Sequence, residues 1–278
     1  MNITFIGVGA IGLPMALQIQ QAGHHVTGVD ISDAVTHTAN ASGLTAVSDI
    51  SKAPNADAVV VMVATPEQLD SLVKRLDTPV PQQLWIIMST VGPQAIREQG
   101  QRLRDMGLRV VDAPVTGGVA RAKNGALVIF AAGDNADVQA AMPLLQPMGT
   151  VHHTGPHLGD GQSIKVVNQH LCSVHLVAAA EALQLAQSLG LDPAAVLSLV
   201  EKGAAGSWML SDRGPRMLQD TDVQVTSSVN IFVKDSGLVA SAAQSCGAQV
   251  PLLSVAHARF SQAAEMGLGV RDDSRVIE

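Results

Sequence analysis

Ile3-Thr4-Phe5-Ile6-Gly7-Val8-Gly9-Ala10-Ile11-Gly12-Leu13-Pro14-Met15-Ala16 opens the chain with a short apolar run, three spaced glycines and a helical pattern. A strand that runs directly into Gly-x-Gly-x-x-Gly and then a helix has a physical logic. The first glycine permits a tight turn, the second lets backbone approach a pyrophosphate, and the third lets the helix pack on the strand. N–H groups and the positive dipole end at the helix start then attract phosphate. Asp30 follows Gly12 by 18 residues and closes the next apolar run, His25–Val29. That is close to the roughly 20-residue spacing of an acid that binds the adenosine ribose. A carboxylate there repels a 2′-phosphate, and Ile31 and Ser32 supply no arginine to hold one. The pattern predicts an NAD site, with NAD favoured over NADP, built on Gly7, Gly9, Ala10, Ile11, Gly12 and Asp30.

Outward from this stretch the same rhythm repeats. Strand candidates are Ile3–Ile6, His25–Val29, Ala58–Val63, Leu84–Met88, Leu108–Val111 and Ala126–Ala131. Several are apolar throughout, as strands covered on both faces must be. Helical stretches Ala10–Ala22, Pro66–Arg75, Pro93–Met106 and Ala136–Gln146 lie between them, with Pro66 and Pro93 at helix starts. This predicts an α/β domain of the Rossmann type, a doubly wound parallel sheet, over 1–160. Beyond His157-Leu158-Gly159-Asp160-Gly161 the pattern turns helical: Gln162–Leu189, Pro193–Lys202, Asn230–Cys246 and Leu252–Met266. A C-terminal all-α domain is expected over 161–278, carrying substrate-binding and dimerisation surfaces.

Bulk properties exclude several classes. A net charge of −7 over 278 residues, without a basic run, disfavours nucleic acid as a partner. The apolar N-terminus lacks a basic n-region and is broken by glycines and Pro14, so it reads as strand and turn, not a signal peptide. Leu171–Leu191 contains His175, Glu181 and two glutamines and reads as a buried helix, not a membrane span. Cys172 and Cys246 read as reduced thiols. A cytoplasmic protein is expected. The histidines His152, His153, His157, His170 and His175 form no ligand set with an acid at suitable spacing, so no metal is expected.

Three further segments stand out: Asp112-Ala113-Pro114-Val115-Thr116-Gly117-Gly118, Gly161-Gln162-Ser163-Ile164-Lys165-Val166-Val167-Asn168-Gln169, and Lys234-Asp235-Ser236-Gly237-Leu238. Together with the glycine loop they make the whole chain, through Asp272-Asp273-Ser274, resemble the β-hydroxyacid dehydrogenases, the family of 3-hydroxyisobutyrate dehydrogenase and tartronate semialdehyde reductase. The resemblance implies an NAD-dependent oxidoreductase acting on a small hydroxycarboxylate. It makes Lys165 the general acid/base and Asn168 the residue that orients lysine and substrate. Apolar flanks around Lys165 would desolvate its ammonium and favour acceptance of a proton. Thr116, Gly117 and Gly118 become the carboxylate-binding loop, with Thr116 where the family often has serine. Thr65, Pro66, Thr90 and Lys234 are implied on the cofactor side.

One segment departs from the family. Where many members carry Pro-Gly-Phe, this chain reads Val223-Gln224-Val225-Thr226-Ser227-Ser228-Val229-Asn230. That region, Gly206-Ser207-Trp208-Met209 and His170–Leu176 are most similar to the L-threonate dehydrogenase branch. A C4 sugar acid is the expected substrate, with Ser207, Asn230 and His175 as candidates to meet its hydroxyls. The alternatives are 3-hydroxyisobutyrate and tartronate semialdehyde. The small residues of the long helix, Ala178, Ala179, Ala180, Ala182 and Ala186, suit close helix contact, and a homodimer or homotetramer is expected.

Overall fold

The computed structural model describes residues 1–278 as two compact units, Met1–Lys165 and Val166–Glu278. In the first, β1 (Asn2–Ile6), α1 (Gly12–Gln21), β2 (His25–Val29), α2 (Asp33–Ala41), β3 (Ala46–Val47) and β4 (Ala58–Val61) form the leading half. The chain continues through α3 (Pro66–Lys74), β5 (Leu84–Ile87), α4 (Pro93–Asp105) and β6 (Arg109–Asp112). It ends with β7 (Val115–Thr116), α5 (Gly118–Lys123), β8 (Leu127–Ala132), α6 (Asn135–Leu145) and β9 (Gly149–Gly155).

The strand order is β3-β2-β1-β4-β5-β6-β8-β7, with β9 on β8. From β3 to β6 every pairing is parallel. The chain leaves β1 toward β2 and returns on its other side as β4, so the glycine loop after β1 lies where the strand order reverses. Successive strand residues serve opposite faces. Ile3, Phe5, Val60 and Ile86 pack with Met15 and Ile19 of α1, while Ile6, Val59, Val61, Trp85 and Ile87 pack with Leu69 of α3 and Leu103 of α4. Two apolar layers on one sheet explain why β4 and β5 are apolar at every position.

The doubly wound, mostly parallel sheet is as expected, and only the far edge departs from the parallel pattern. β8 runs antiparallel to both β6 and β7, pairing Val115 with Ile129 and Thr116 with Val128. The link between β7 and β8 holds only the six-residue α5. A parallel return needs a dozen or more residues. The periodicity also passed over α2, in which Thr36, Thr38 and Asn40 weaken the helical signal.

The second unit is helical. α7 (Asp160–Ser188) begins in the first unit and runs through the second, followed by α8 (Pro193–Val200), α9 (Trp208–Met217), α10 (Val229–Cys246) and α11 (Pro251–Ala263). Leu176, Leu183, Leu197, Met209, Phe232 and Phe260 form its core. α9 lay hidden behind Gly214 and Pro215, which usually end a helix. Gly214 is there for packing, since a Cβ would come 2.8 Å from Leu197 Cδ1. Charges fix the C-terminal segment: Arg213 grips buried Asp273 through two bonds, at 2.8 and 2.9 Å. Asp272 accepts from Thr226 N at 2.9 Å and Ser274 N at 3.2 Å and pairs with Arg216 at 3.3 Å. Burial works against ionisation of Asp272, but these partners hold its carboxyl below the ordinary value.

The start of α7 is stitched to the sheet by one glutamine and one carboxylate, both fully buried. Gln162 Oε1 accepts from Val91 N and Gly92 N, each at 3.0 Å. Its Nε2 donates to Ser89 O at 2.9 Å and Asp112 Oδ1 at 3.1 Å. Asp112 Oδ2 accepts from Gly159 N at 3.0 Å and Gln162 N at 3.1 Å. Burial pushes the Asp112 carboxyl up to about 6 in spite of these donors. Gln162→Ala would remove the partner of two backbone donors, one backbone carbonyl and one carboxylate oxygen. An unfolding free energy about 2–4 kcal/mol lower is expected from a urea titration. A loss under about 1 kcal/mol would show that water replaces the side chain without penalty.

Candidate active site

In the first unit the cofactor candidates lie at the C-terminal ends of neighbouring parallel strands: Gly7 after β1, Asp30 after β2, Thr65 and Pro66 after β4, and Thr90 after β5. In open α/β sheets this end, at the reversal of strand order, is where ligands bind. The three glycines differ in what they do. A Cβ on Gly7 would come 2.3 Å from Met62 O, and one on Gly12 would come 1.9 Å from Gly7 O, so both are required by the protein's own packing. A Cβ on Gly9 meets nothing within 4 Å. Open space over Gly9, beside an α1 start that no side chain caps, fits a pyrophosphate held by Gly9, Ala10, Ile11 and Gly12.

Asp30 accepts from Ser32 N at 3.0 Å, which fixes the carboxylate at the end of β2, while Ile31 projects into solvent. Thr65 is the N-cap of α3, with Oγ1 accepting from Gln68 N at 3.3 Å and Pro66 as the first helical residue. The Thr65 hydroxyl keeps its proton to donate.

The Thr116 loop leaves β7 and enters α5 through two glycines in left-handed conformations, Gly117 at φ 129° and Gly118 at φ 68°. Side chains rarely adopt these angles. Thr116 itself is half-buried and held in register opposite Val128. Lys165 lies in the second turn of α7 and is only 6% exposed, an unusual burial for a lysine.

In the helical unit, α7 and α10 exchange a chain of side-chain bonds. Asn168 Nδ2 donates to Gln169 Oε1 at 2.8 Å and to Cys172 Sγ at 3.4 Å. Gln169 Nε2 donates to Asp235 Oδ2 at 2.5 Å, and Asp235 Oδ1 pairs with Lys234 Nζ at 2.6 Å. Asn230 lies one turn before Lys234 on α10, with N donating to Gly269 O at 2.9 Å. Its side chain fills the space that a Cβ on Gly269 would need. Ser207 caps α9, Oγ accepting from Leu210 N at 3.0 Å, and Arg213 lies 5.6 Å over the ring of the adjacent Trp208. His175 is half-buried on α7. No cluster of three or more His, Cys, Asp or Glu side chains is placed to hold a metal ion.

Sequence reasoning assigned no role to Gln162, Gln169 or Asp235. Glutamines carry no spacing signature, and nothing in the sequence couples position 169 to position 235. The glycine analysis has a direct consequence. Gly9→Ala should leave the thermal midpoint within about 2 °C while weakening NADH binding by tenfold or more, about 1.4 kcal/mol, in a fluorescence titration. Gly12→Ala should unfold or strongly destabilise the protein. Equal loss of stability in the two variants would contradict separate roles.

Comparison with known proteins agrees with this geometry. Residues 2–159 match the NAD-binding domain of 6-phosphogluconate dehydrogenase, and residues 159–278 match the family described as NAD-binding of NADP-dependent 3-hydroxyisobutyrate dehydrogenase. L-threonate dehydrogenase of Cupriavidus necator is 34% identical over 283 residues, covering 100% of this chain and 95% of that protein. The crystal structure of 3-hydroxyisobutyrate dehydrogenase from Salmonella typhimurium superimposes with a TM-score of 0.91 at 31% identity, covering 100% of this chain and 99% of the other. A Mycobacterium tuberculosis 3-hydroxyisobutyrate dehydrogenase, in a structure with L-serine, gives a TM-score of 0.85 at 30% identity, covering 99% and 97%. No helix is long and apolar enough to cross a membrane. A glycine loop at the switch point, a buried lysine at the start of the long helix and full-length similarity place the chain in the β-hydroxyacid dehydrogenase family of NAD-dependent oxidoreductases.

Proposed function

We propose that the enzyme oxidises a C4 sugar acid such as L-threonate at its 2-hydroxyl, giving the 2-oxo acid. The single observation that carries the mechanism is the burial of Lys165 on the matching motif. The chemistry supplied by bound NAD is acceptance of a hydride at the nicotinamide ring. Lys165 takes the proton of the reacting hydroxyl, and the C–H electron pair leaves as hydride, so that one alcohol becomes one ketone. Thr116 and the N–H groups around Gly117 and Gly118 hold the carboxylate. Asn168 orients the reacting groups, and Lys234 serves the cofactor side. Asp30 binds the adenosine ribose, with Thr65, Pro66 and Thr90 on the nicotinamide side.

The substrate class draws on the relatives, several of which are L-threonate dehydrogenases aligned over nearly their whole length. Polar groups in the helical unit suit a polyhydroxylated acid. Ser207 spends a lone pair on its cap and retains its O–H, and Asn230 offers an amide. A site built to bond hydroxyls leaves polar groups unpaired around an aliphatic acid, and such mismatches discriminate strongly. The second reading is a 3-hydroxy acid, favoured by the relative whose structure contains L-serine. A homodimer or homotetramer remains part of the proposal.

Lys165→Ala should lower kcat by about 10² to 10⁴ while NADH affinity stays close to wild type. Retention of half the activity would remove Lys165 from the mechanism. In a side-by-side assay with NAD, L-threonate or D-erythronate should outpace glycerate, L-serine and 3-hydroxyisobutyrate in kcat/KM. Faster turnover of L-serine or 3-hydroxyisobutyrate than of both C4 acids would sink the substrate assignment and leave the oxidoreductase itself intact.

A further inference from the structure

The chain from Lys234 to Asn168 has a direction, and the direction is set by charge. Asp235 is buried with both oxygens engaged, one by the Lys234 ammonium at 2.6 Å and the other by Gln169 at 2.5 Å. A carboxylate paired with an ammonium only accepts hydrogen bonds, so Gln169 must turn its Nε2 toward it. The opposite end of the same amide, Oε1, then faces Asn168 and accepts from its Nδ2 at 2.8 Å. The second Nδ2 hydrogen of Asn168 goes to Cys172 Sγ at 3.4 Å. With both N–H bonds committed, Oδ1 is the atom Asn168 has left for a ligand.

We infer that Gln169 is a positioning residue that locks Asn168 as a hydrogen-bond acceptor, so that the enzyme selects substrates presenting a hydroxyl or ammonium donor to Asn168 Oδ1. The inference rests on the proposed role of Asn168 at the substrate. An amide free to flip would accept a donor or an acceptor group equally well. A fixed one repels a carbonyl or carboxylate oxygen at that point and rewards an O–H. Length matters as well as polarity: Gln169 is 7% exposed and bonds in two directions, and asparagine, one methylene shorter, would lose one of its partners.

Gln169→Glu tests the polarity. When protonated, the new carboxyl donates to Asp235 and accepts from Asn168, and the relay is preserved. When ionised, two carboxylates face each other and the relay breaks. Burial and the neighbouring charge raise the proton affinity of such a group. Asp235 and Lys234 on α10, and Lys165 and Cys172 on the residue's own helix, also bear on position 169. Each rate is therefore divided by the wild-type rate at the same pH.

With the hydroxyacid that the wild type oxidises best, the ratio of kcat/KM should lie within about threefold of unity at pH 6. It should fall by about tenfold or more by pH 9, through KM, with NADH affinity and the thermal midpoint unchanged. Gln169→Met, of equal length but without polarity, should lower kcat/KM for the same hydroxyacid about tenfold at every pH, through KM. A pH-independent ratio for the glutamate variant, or an undiminished kcat/KM in the methionine variant, overturns the inference. If the wild type oxidises neither C4 acid, the substrate proposal fails. The glutamate variant then still tests the relay on whichever hydroxyacid is turned over.

Discussion

The buried amide of Gln162, held between the carboxylate of Asp112 and the backbone at Ser89, Val91 and Gly92, is the constraint on which the functional end of the first unit depends. It joins the ends of β5 and β6 to the first turn of the longest helix. An α-helix is stiff over several turns, so fixing its start fixes what projects from the next turn. Lys165 is three residues on. A lysine placed there is committed to one direction without any loop to relax it. Gly161 tightens the same junction, since a Cβ would come 2.3 Å from Phe130 O.

Catalysis by such a device is mostly placement. A hydride moves only when donor carbon, acceptor ring and base are aligned, and rigid elements hold that alignment better than loops. The first unit places its candidate groups on strand ends and on the start of α7. The second holds Asn168 and Lys234 through Gln169 and Asp235, with every donor in the chain facing an acceptor. The two networks use the same chemistry: a glutamine whose orientation is dictated by a buried carboxylate, Asp112 in one and Asp235 in the other.

What could be read from the residues alone followed from how strongly each is constrained. β4 and β5 were legible because burial on both faces demands apolar residues at every position. The antiparallel turn at β7 and β8 was not, because strand direction leaves no mark on a two-residue element. α9 was concealed by Gly214 and Pro215, whose usual meaning is a break. Lys165 and Asn168 could be named from the motif. The carboxylate that turns the Gln169 amide beside Asn168 could not, since Asp235 lies 66 residues beyond Gln169, and an amide's orientation depends on what it faces. Thr65 and Ser207 show the converse: the hydroxyls singled out for ligands cap α3 and α9.

The three glycines of the first loop are inherited for different reasons, and this bears on how the chain can drift. Gly7 and Gly12 are guarded by their own backbone neighbours, so any lineage that keeps the fold keeps them. Gly9 meets no protein atom, and on the proposed reading only a bound cofactor guards it. In a descendant released from cofactor use, the middle glycine would be the first to vary while its companions persisted. A motif treated as one signature is thus two records laid side by side, one of architecture and one of occupation, and they can be erased separately.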